Sequence, residues 1–317
     1  MNSKGIFNYI SADSQSSLYR NGKVLTRRNL EGTDSEWVGV NYEQHEVVVN
    51  DARNGVSATL EKQGFQLVDD DIESLNINFF DNDVVLHNYY PLCADRVKES
   101  VGARAVYAFD HNVRSAVGKK SKKMITGGQQ VQGPAHAVHG DYTLTSAPER
   151  LLQLSKPPGS NDTIRSLVDE GGSLIPPNEV EQVLNGGRFA IINLWRSIVP
   201  EPVEMNPLAL CDASRVNPDD LVVFEIHYKD RIGENYFAKY KADHSWYFYP
   251  KMNRTEALLI KQWDSEGGLA QTRGEKPDAA FPNAPCTFSF HSAFKEPSTP
   301  DDAPDRWSME VRCIALF

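Results

Sequence analysis

Cysteine is scarce in this chain: four in 317 residues, at Cys93, Cys211, Cys286 and Cys313, with no Cys-x-x-Cys pair. That spacing argues against a zinc knuckle and a dithiol redox motif, and leaves free, buried thiols as the expected state. Positive charge is in deficit. The formal net charge is -10, whereas nucleic-acid binding usually needs a basic patch, so no nucleic-acid partner is expected. No apolar run approaches the roughly 20 residues that span a bilayer. The first ten residues, "MNSKGIFNYI", lack the apolar core of a signal peptide. A cytoplasmic protein with no membrane partner is the expectation. Also missing are βαβ alternation, a glycine-rich phosphate loop and any internal repeat.

The chain is 40% hydrophobic and 24% charged, enough to build a sizeable core. Residues 1–83 are expected to form an N-terminal extension packed on that core, with strand candidates at 45–53 and 64–70. From residue 84 the character changes. Pro91 opens a helix whose Leu92, Val97 and Val101 face the core, and Gly102 stops it. A strand follows over 103–114. The basic, then Gly- and Gln-rich stretch 115–133 is a loop, placed where a lid would lie. Helices are expected at 145–155, at 176–188 (apolar face Val180, Val183, Leu184) and, from the Asn253–Glu256 capping box, at 253–265. Strands are expected at 189–198, at 220–228 and 234–250 as a hairpin turning at Asp230–Gly233, and at the two C-terminal segments "CTFSFHSAF" and "DRWSMEVRCIALF". The sum is a mainly β fold with flanking helices: a double-stranded β-helix, the cupin-like jelly roll, over 84–317 with helical insertions, single-domain overall.

The chemistry centres on "PAHAVHGDYT" (134–143). In a strand, residues i and i+2 point to one face, so His139 and Asp141 converge, with Gly140 between them. An imidazole and a carboxylate are two thirds of the 2-His-1-carboxylate triad that holds non-haem Fe(II) on one octahedral face. Of the remaining histidines, His291 has the best context, because an arginine-bearing last strand follows it. There Arg306, Ser308, Glu310 and Arg312 alternate with Trp307, Met309, Val311 and Cys313, giving one polar and one apolar face. An arginine fork on such a face suits a dicarboxylate.

This order, His139-x-Asp141, then His291, then Arg306-x-Ser308, resembles the Fe(II)/2-oxoglutarate-dependent oxygenases. The segments "YYPLCADRV", "FDHNVR", "HGDYTLTSAPER", "GRFAIINLWRSI", "NPLALCDASRV", "WYFYPKMNRTEALLIKQWDS" and "FHSAFKEPSTPDDAPDRWSMEVR" are similar, in the same order, to a fungal-type branch. That branch is described as gibberellin-desaturase-like or cephem-methoxylase-like. The resemblance covers about residues 84–317. It implies Fe(II), 2-oxoglutarate and O2 as cofactor and cosubstrates, with His139, Asp141 and His291 as metal ligands. It implies 2-oxoglutarate held by Arg306 and Ser308, with Arg312 competing for that role and Tyr142 beside the cosubstrate. Arg114, His111, Asn193 and Arg196 are expected to contact the organic substrate. The implied reaction is hydroxylation, desaturation or ring closure of a small molecule, an amino acid or a secondary-metabolite intermediate; the oligomeric state is left open. Gly140 stands where the branch more often has valine, and is expected to widen the cavity beside the metal. Two rival readings are a jelly-roll binding module without turnover and a metal dioxygenase that needs no 2-oxoglutarate.

Overall fold

The protein is described from a computed structural model, which defines residues 2–28, 34–55, 57–160, 162–229 and 231–317. Among the described residues fifteen strands run in chain order: β1 (Ser3–Ile10), β2 (Leu25–Arg28), β3 (Asp34–Val38), β4 (Tyr42–Asp51), β5 (Phe65–Asp69), β6 (Ala105–Arg114), β7 (His139–Gly140), β8 (Phe189–Ser197), β9 (Leu208–Cys211), β10 (Leu221–His227), β11 (Ile232–Ala238), β12 (Trp246–Phe248), β13 (Glu256–Asp264), β14 (His291–Ala293) and β15 (Ser308–Leu316). They form a ten-stranded sheet, β1-β4-β12-β9-β14-β7-β11-β10-β2-β3, and a five-stranded sheet, β5-β13-β8-β15-β6. This is the expected jelly roll. The helices are short: α1 (Asn82–Val84), α2 (Tyr90–Val101), α3 (Ala116–Lys120), α4 (Ser146–Leu154), α5 (Pro177–Leu184) and α6 (Gly268–Gln271). Among the described residues no helix is long and apolar enough to cross a membrane.

The smaller sheet is built on its two central strands. Every residue of β8 is buried, and β15 pairs along its whole length with β8 on one side and β6 on the other. A strand buried on both faces reads as a dense apolar run, which is how β8 was visible in the sequence, whereas β15 was visible through its alternation of polar and apolar residues. α2 covers the outer side of β6 and β15. Pro91 lies in its first turn and Gly102 ends it in the left-handed conformation at φ 65°. It buries Tyr90, Cys93 and Val97, while Leu92, expected inward, is 40% exposed. α5 likewise buries Val180 and Val183 but leaves Leu184 exposed.

Three expectations change. Within 253–265, expected to be a helix, Glu256–Asp264 form a strand. Asn253 N–H does donate to Glu256 Oε2 at 3.3 Å, but the contact closes a turn that launches β13 between β5 and β8. The 234–250 stretch is two strands: β11 pairs with β10 as the hairpin, whereas β12 lies between β4 and β9. Tyr228 N–H donates to Arg231 across that hairpin turn; Asp230 lies outside the described residues. Finally, residues 1–83 do more than lie on the core. β1, β2, β3 and β4 are ladder strands of the large sheet, and β5 is an edge of the small one. Phe7, Tyr9 and Val49 are wholly buried. The four cysteines are free and buried, as expected.

Candidate metal centre and its cavity

β7 is two residues long and sits between β11 and β14. In the β7–β14 ladder His139 is directly opposite His291. Directly opposed residues of an antiparallel pair share a face, and the ring centroids are 4.3 Å apart. Asp141, two residues beyond His139, turns the same way. Its Oδ1 lies 3.6 Å from His139 Nε2 and 3.7 Å from His291 Nε2. Each residue offers a ligand atom within 4.8 Å of the others, the one such group among the described residues. His139 Nδ1–H donates to the Ala137 carbonyl at 2.7 Å, which leaves the Nε2 lone pair facing the other two.

The electrostatics match a cation site. Burial, with the neighbouring His291, pushes His139 down to about 4, so the imidazole is neutral and able to ligate at neutral pH. Burial alone would raise the Asp141 carboxyl. The Arg312 guanidinium and the two imidazoles outweigh it and hold the group well below the usual carboxylate range. Two nitrogens and one carboxylate oxygen, with no thiolate, are a donor set that suits Fe(II).

A narrow cavity opens beside the imidazoles, lined by His139, His291, Trp195, Arg306, Arg114 and Glu310 among others. Arg306 is 2% exposed, stacks over Trp195 at 5.7 Å and donates to the Asn206 carbonyl. Its Nε and the Ser308 Oγ are buried with no protein partner. Burial and Arg114 bring the Arg306 guanidinium down to about 10, still charged at neutral pH. Two orphaned polar groups two residues apart, one of them cationic and lining the cavity, are what a bound carboxylate would satisfy.

The other expected residues divide by strand parity. On β15, Ser308, Glu310 and Arg312 share the inner face; on β6 their partners are Arg114, Asn112 and Asp110. Arg312 Nη1 contacts Asp110 Oδ2 at 3.0 Å, Nη2 contacts Glu310 Oε1 at 3.1 Å and Nε contacts Asp141 Oδ2 at 3.4 Å. Its fork is therefore fully engaged with carboxylates. Arg114 reaches the cavity and pairs with Glu310 at 2.9 Å. Asn193 Nδ2 donates to Asp141 Oδ2 at 2.9 Å, so it holds the Asp141 carboxylate instead of standing free to meet a substrate. His111 and Arg196 point away. His111 is paired with Val311 on the other face of the sheet and hydrogen-bonds Tyr90 of α2 at 2.9 Å. Arg196, one residue out of phase with Trp195, is closed in by Asp70 and the Arg254 carbonyl. Tyr142 is half-buried where the charges of Arg312 and Arg150 both act on it, and burial pushes its phenol up to about 12. It does not line the cavity beside Arg306.

Gly140 faces away from the cavity as well. A Cβ there would meet the Phe288 ring at 2.9 Å, so this glycine makes room for a core aromatic, not for a ligand. One residue beside Asp141 escaped the sequence reading. Gln262 Oε1 accepts from the Asp141 backbone N–H at 3.2 Å, and the residue lies in a bulge of β13 between Lys261 and Trp263. The signal was a buried Lys-Gln pair within an apolar run, hidden by reading that run as a helix.

The comparisons with known proteins agree with this geometry. The sequence profile of the family described as Oxidoreductase/YMDC permease-like domain matches residues 7–316. A protein described as uncharacterized, in the dcmA 3' region of Methylophilus leisingeri, is 43% identical over 192 residues, 60% of this chain and 88% of that protein. The Fe(II)/2-oxoglutarate-dependent dioxygenase nvfI of Aspergillus novofumigatus is 30% identical over 282 residues, 87% of this chain and 84% of its relative. Among solved structures, a variant of the iron and alpha-ketoglutarate-dependent endoperoxidase NvfI is similar at a TM-score of 0.74 and 25% identity, over 100% of this chain and 97% of that one. With profile, relative and fold in agreement, the chain belongs to the Oxidoreductase/YMDC permease-like family and, within it, to the Fe(II)/2-oxoglutarate-dependent oxygenases.

Proposed function

We propose that His139, Asp141 and His291 hold the Fe(II) of this oxygenase, and that Arg306 and Ser308 receive the far carboxylate of 2-oxoglutarate. The observation that carries the reading is the pair of buried orphans, Arg306 Nε and Ser308 Oγ, two residues apart, with Arg306 lining the cavity that both imidazoles also line. Bound iron, with 2-oxoglutarate and O2, supplies an oxidant able to take hydrogen from an unactivated C–H bond, with succinate and CO2 as co-products. The chain's own part is positional. His139 is kept in one tautomer by Ala137. Trp195 forms an apolar side of the cavity, keeping water from the cosubstrate's chain. Arg114 and Arg312 neutralise Glu310, whose carboxyl they hold near about 2 against the burial that would raise it. Unneutralised, that carboxylate would repel a dianionic cosubstrate.

The organic substrate in this reading is a small molecule oxidised by hydroxylation, desaturation or ring closure, an amino acid or a secondary-metabolite intermediate. A cytoplasmic setting belongs to the same reading, supported by four free, buried thiols. The decisive test is anaerobic. Fe(II) and then 2-oxoglutarate are added to the protein, and a weak visible charge-transfer band is expected only when both are present. His139→Ala, Asp141→Ala and His291→Ala should each lose it while remaining folded. Admitting O2 should then release succinate, and faster with a true substrate from a panel of amino acids and small peptides. A protein that binds iron and 2-oxoglutarate but never forms succinate would be a binding module, and oxidation without succinate would mark a 2-oxoglutarate-independent dioxygenase.

A further inference from the structure

Asp141 is held at three points, none of which is a ligand. Asn193 Nδ2 and Arg312 Nε both donate to the same oxygen, Oδ2, at 2.9 and 3.4 Å. The backbone N–H of Asp141 donates to Gln262 Oε1 at 3.2 Å. The other carboxylate oxygen, Oδ1, accepts from none of these groups and is the one that faces both imidazoles. The three holders come from three neighbouring strands of the small sheet, β8, β15 and β13, and each is buried or nearly so. Gln262 reaches Asp141 because the β13 bulge adds a residue and re-aims the chain there. Arg312 is itself fixed at its remaining nitrogens by Asp110 and Glu310, so it cannot swing off Oδ2 without breaking its contacts to two other carboxylates.

We infer that Asn193, Arg312 and Gln262 act as a positioning clamp that makes Asp141 a one-oxygen ligand. The inference rests on the metal reading above. Its consequence is a matter of counting positions. An octahedral ion held by two imidazoles and one carboxylate oxygen keeps three positions open: two for a chelating cosubstrate and one for O2. A carboxylate free to rotate would offer both oxygens and close one of those positions. Engaging Oδ2 in two donated hydrogen bonds removes that option before any metal arrives. Asn193 and Arg312 are thereby positioning residues, not substrate contacts.

The test uses Co(II) as the probe, because its visible absorption reports both affinity and coordination. Wild-type protein, Arg312→Lys, Asn193→Ser and Gln262→Met are titrated with Co(II), with and without 2-oxoglutarate, and their folded state is checked by thermal unfolding. Arg196→Lys serves as a control: it disturbs a buried arginine of β8 whose side chain lies on the opposite face. Outer partners of metal ligands typically change affinity about 10- to 100-fold, and that weakening is expected for Arg312→Lys and Asn193→Ser, with a changed Co(II) band. Arg196→Lys should lower the unfolding temperature and leave Co(II) affinity and spectrum as in the wild type. If the folded clamp variants bind Co(II) with wild-type affinity and an unchanged band, the clamp is refuted while the metal site stands. If wild-type protein takes up no Co(II), the metal reading fails and the clamp with it.

Discussion

At the scale of single residues, the two arginines of the last strand have different employment, and this can be measured. Arg306 presents a buried, unpaired Nε, whereas all three nitrogens of Arg312 are bound to carboxylates. Lysine keeps the charge of Arg306 but loses the fork. Arg306→Lys should raise the apparent KM for 2-oxoglutarate by roughly 30- to 150-fold, about 2–3 kcal/mol, and move the KM for the organic substrate far less. Steady-state kinetics with each substrate varied in turn decides it; equal effects on both would refute the anchoring role. A second expectation concerns pH. Burial, helped by His291, depresses His139 to about 4, against 6.5 for an ordinary histidine. Between those values the unfolded chain binds more protons than the folded one. The contribution of this site to stability is intact above about pH 6.5 and is lost as pH falls toward 4. Melting temperatures of chelator-treated protein across that range should fall with acid, and His139→Asn should flatten the fall. The triad itself was legible because two of its members sit two residues apart in an extended segment. His111 and Arg196 were misplaced for a physical reason: alternation tells which residues share a face, but not which face of a doubly covered strand looks into the cavity.

At the scale of elements, β7 shows how little of a strand is needed to fix a site when its neighbours are right. Its glycine is set by packing. A Cβ at Gly140 meets the Phe288 ring at 2.9 Å, and Phe288 is itself packed against Tyr236 and Trp263. Gly140→Val should therefore destabilise the fold by about 1–3 kcal/mol through overpacking. Chemical denaturation should show a lower midpoint with an unchanged slope, and a variant as stable as the wild type would place the glycine's role elsewhere. β13 carries a different lesson. "ALLIKQWD" is buried almost throughout, so its hydrophobicity has neither a helical nor a strand period, and the turn at Asn253 imitates a helix start. Reading it as a helix concealed Gln262, because only the strand, and its bulge, brings that side chain to Asp141.

At the scale of the molecule, the jelly roll was legible from strand density and from the absence of βαβ alternation, but the part played by the first eighty-three residues was not. β4 is exposed at alternate positions along most of its length, and locally it reads as polar surface. Its pairing partners, β1 and β12, lie far away in sequence, and no local pattern encodes them. The consequence is testable by truncation. Removing residues 2–51 strips β1, β2, β3 and β4 from the large sheet and deletes buried side chains that include Phe7, Tyr9, Ile10 and Val49. At roughly 1.5–3 kcal/mol each, these rival the whole stability of a typical domain, about 5–15 kcal/mol. The shortened chain should show no cooperative unfolding transition by circular dichroism and no Fe(II) uptake. A fragment that melts cooperatively near the wild-type temperature would make this region dispensable.

β15 is the last strand in the chain and a central one in its sheet. During synthesis β8 and β6 emerge first, with the place between them vacant, and each keeps an unpaired edge until residues 308–316 leave the ribosome. The same strand carries Ser308, Glu310 and Arg312, and the residues just before it carry Arg306. Neither the sheet nor the cavity wall that carries Arg306 can be finished ahead of residues 306–316. An interrupted translation product therefore has open sheet edges and no working site, so it is a natural client for chaperones and proteases, not a partly active enzyme.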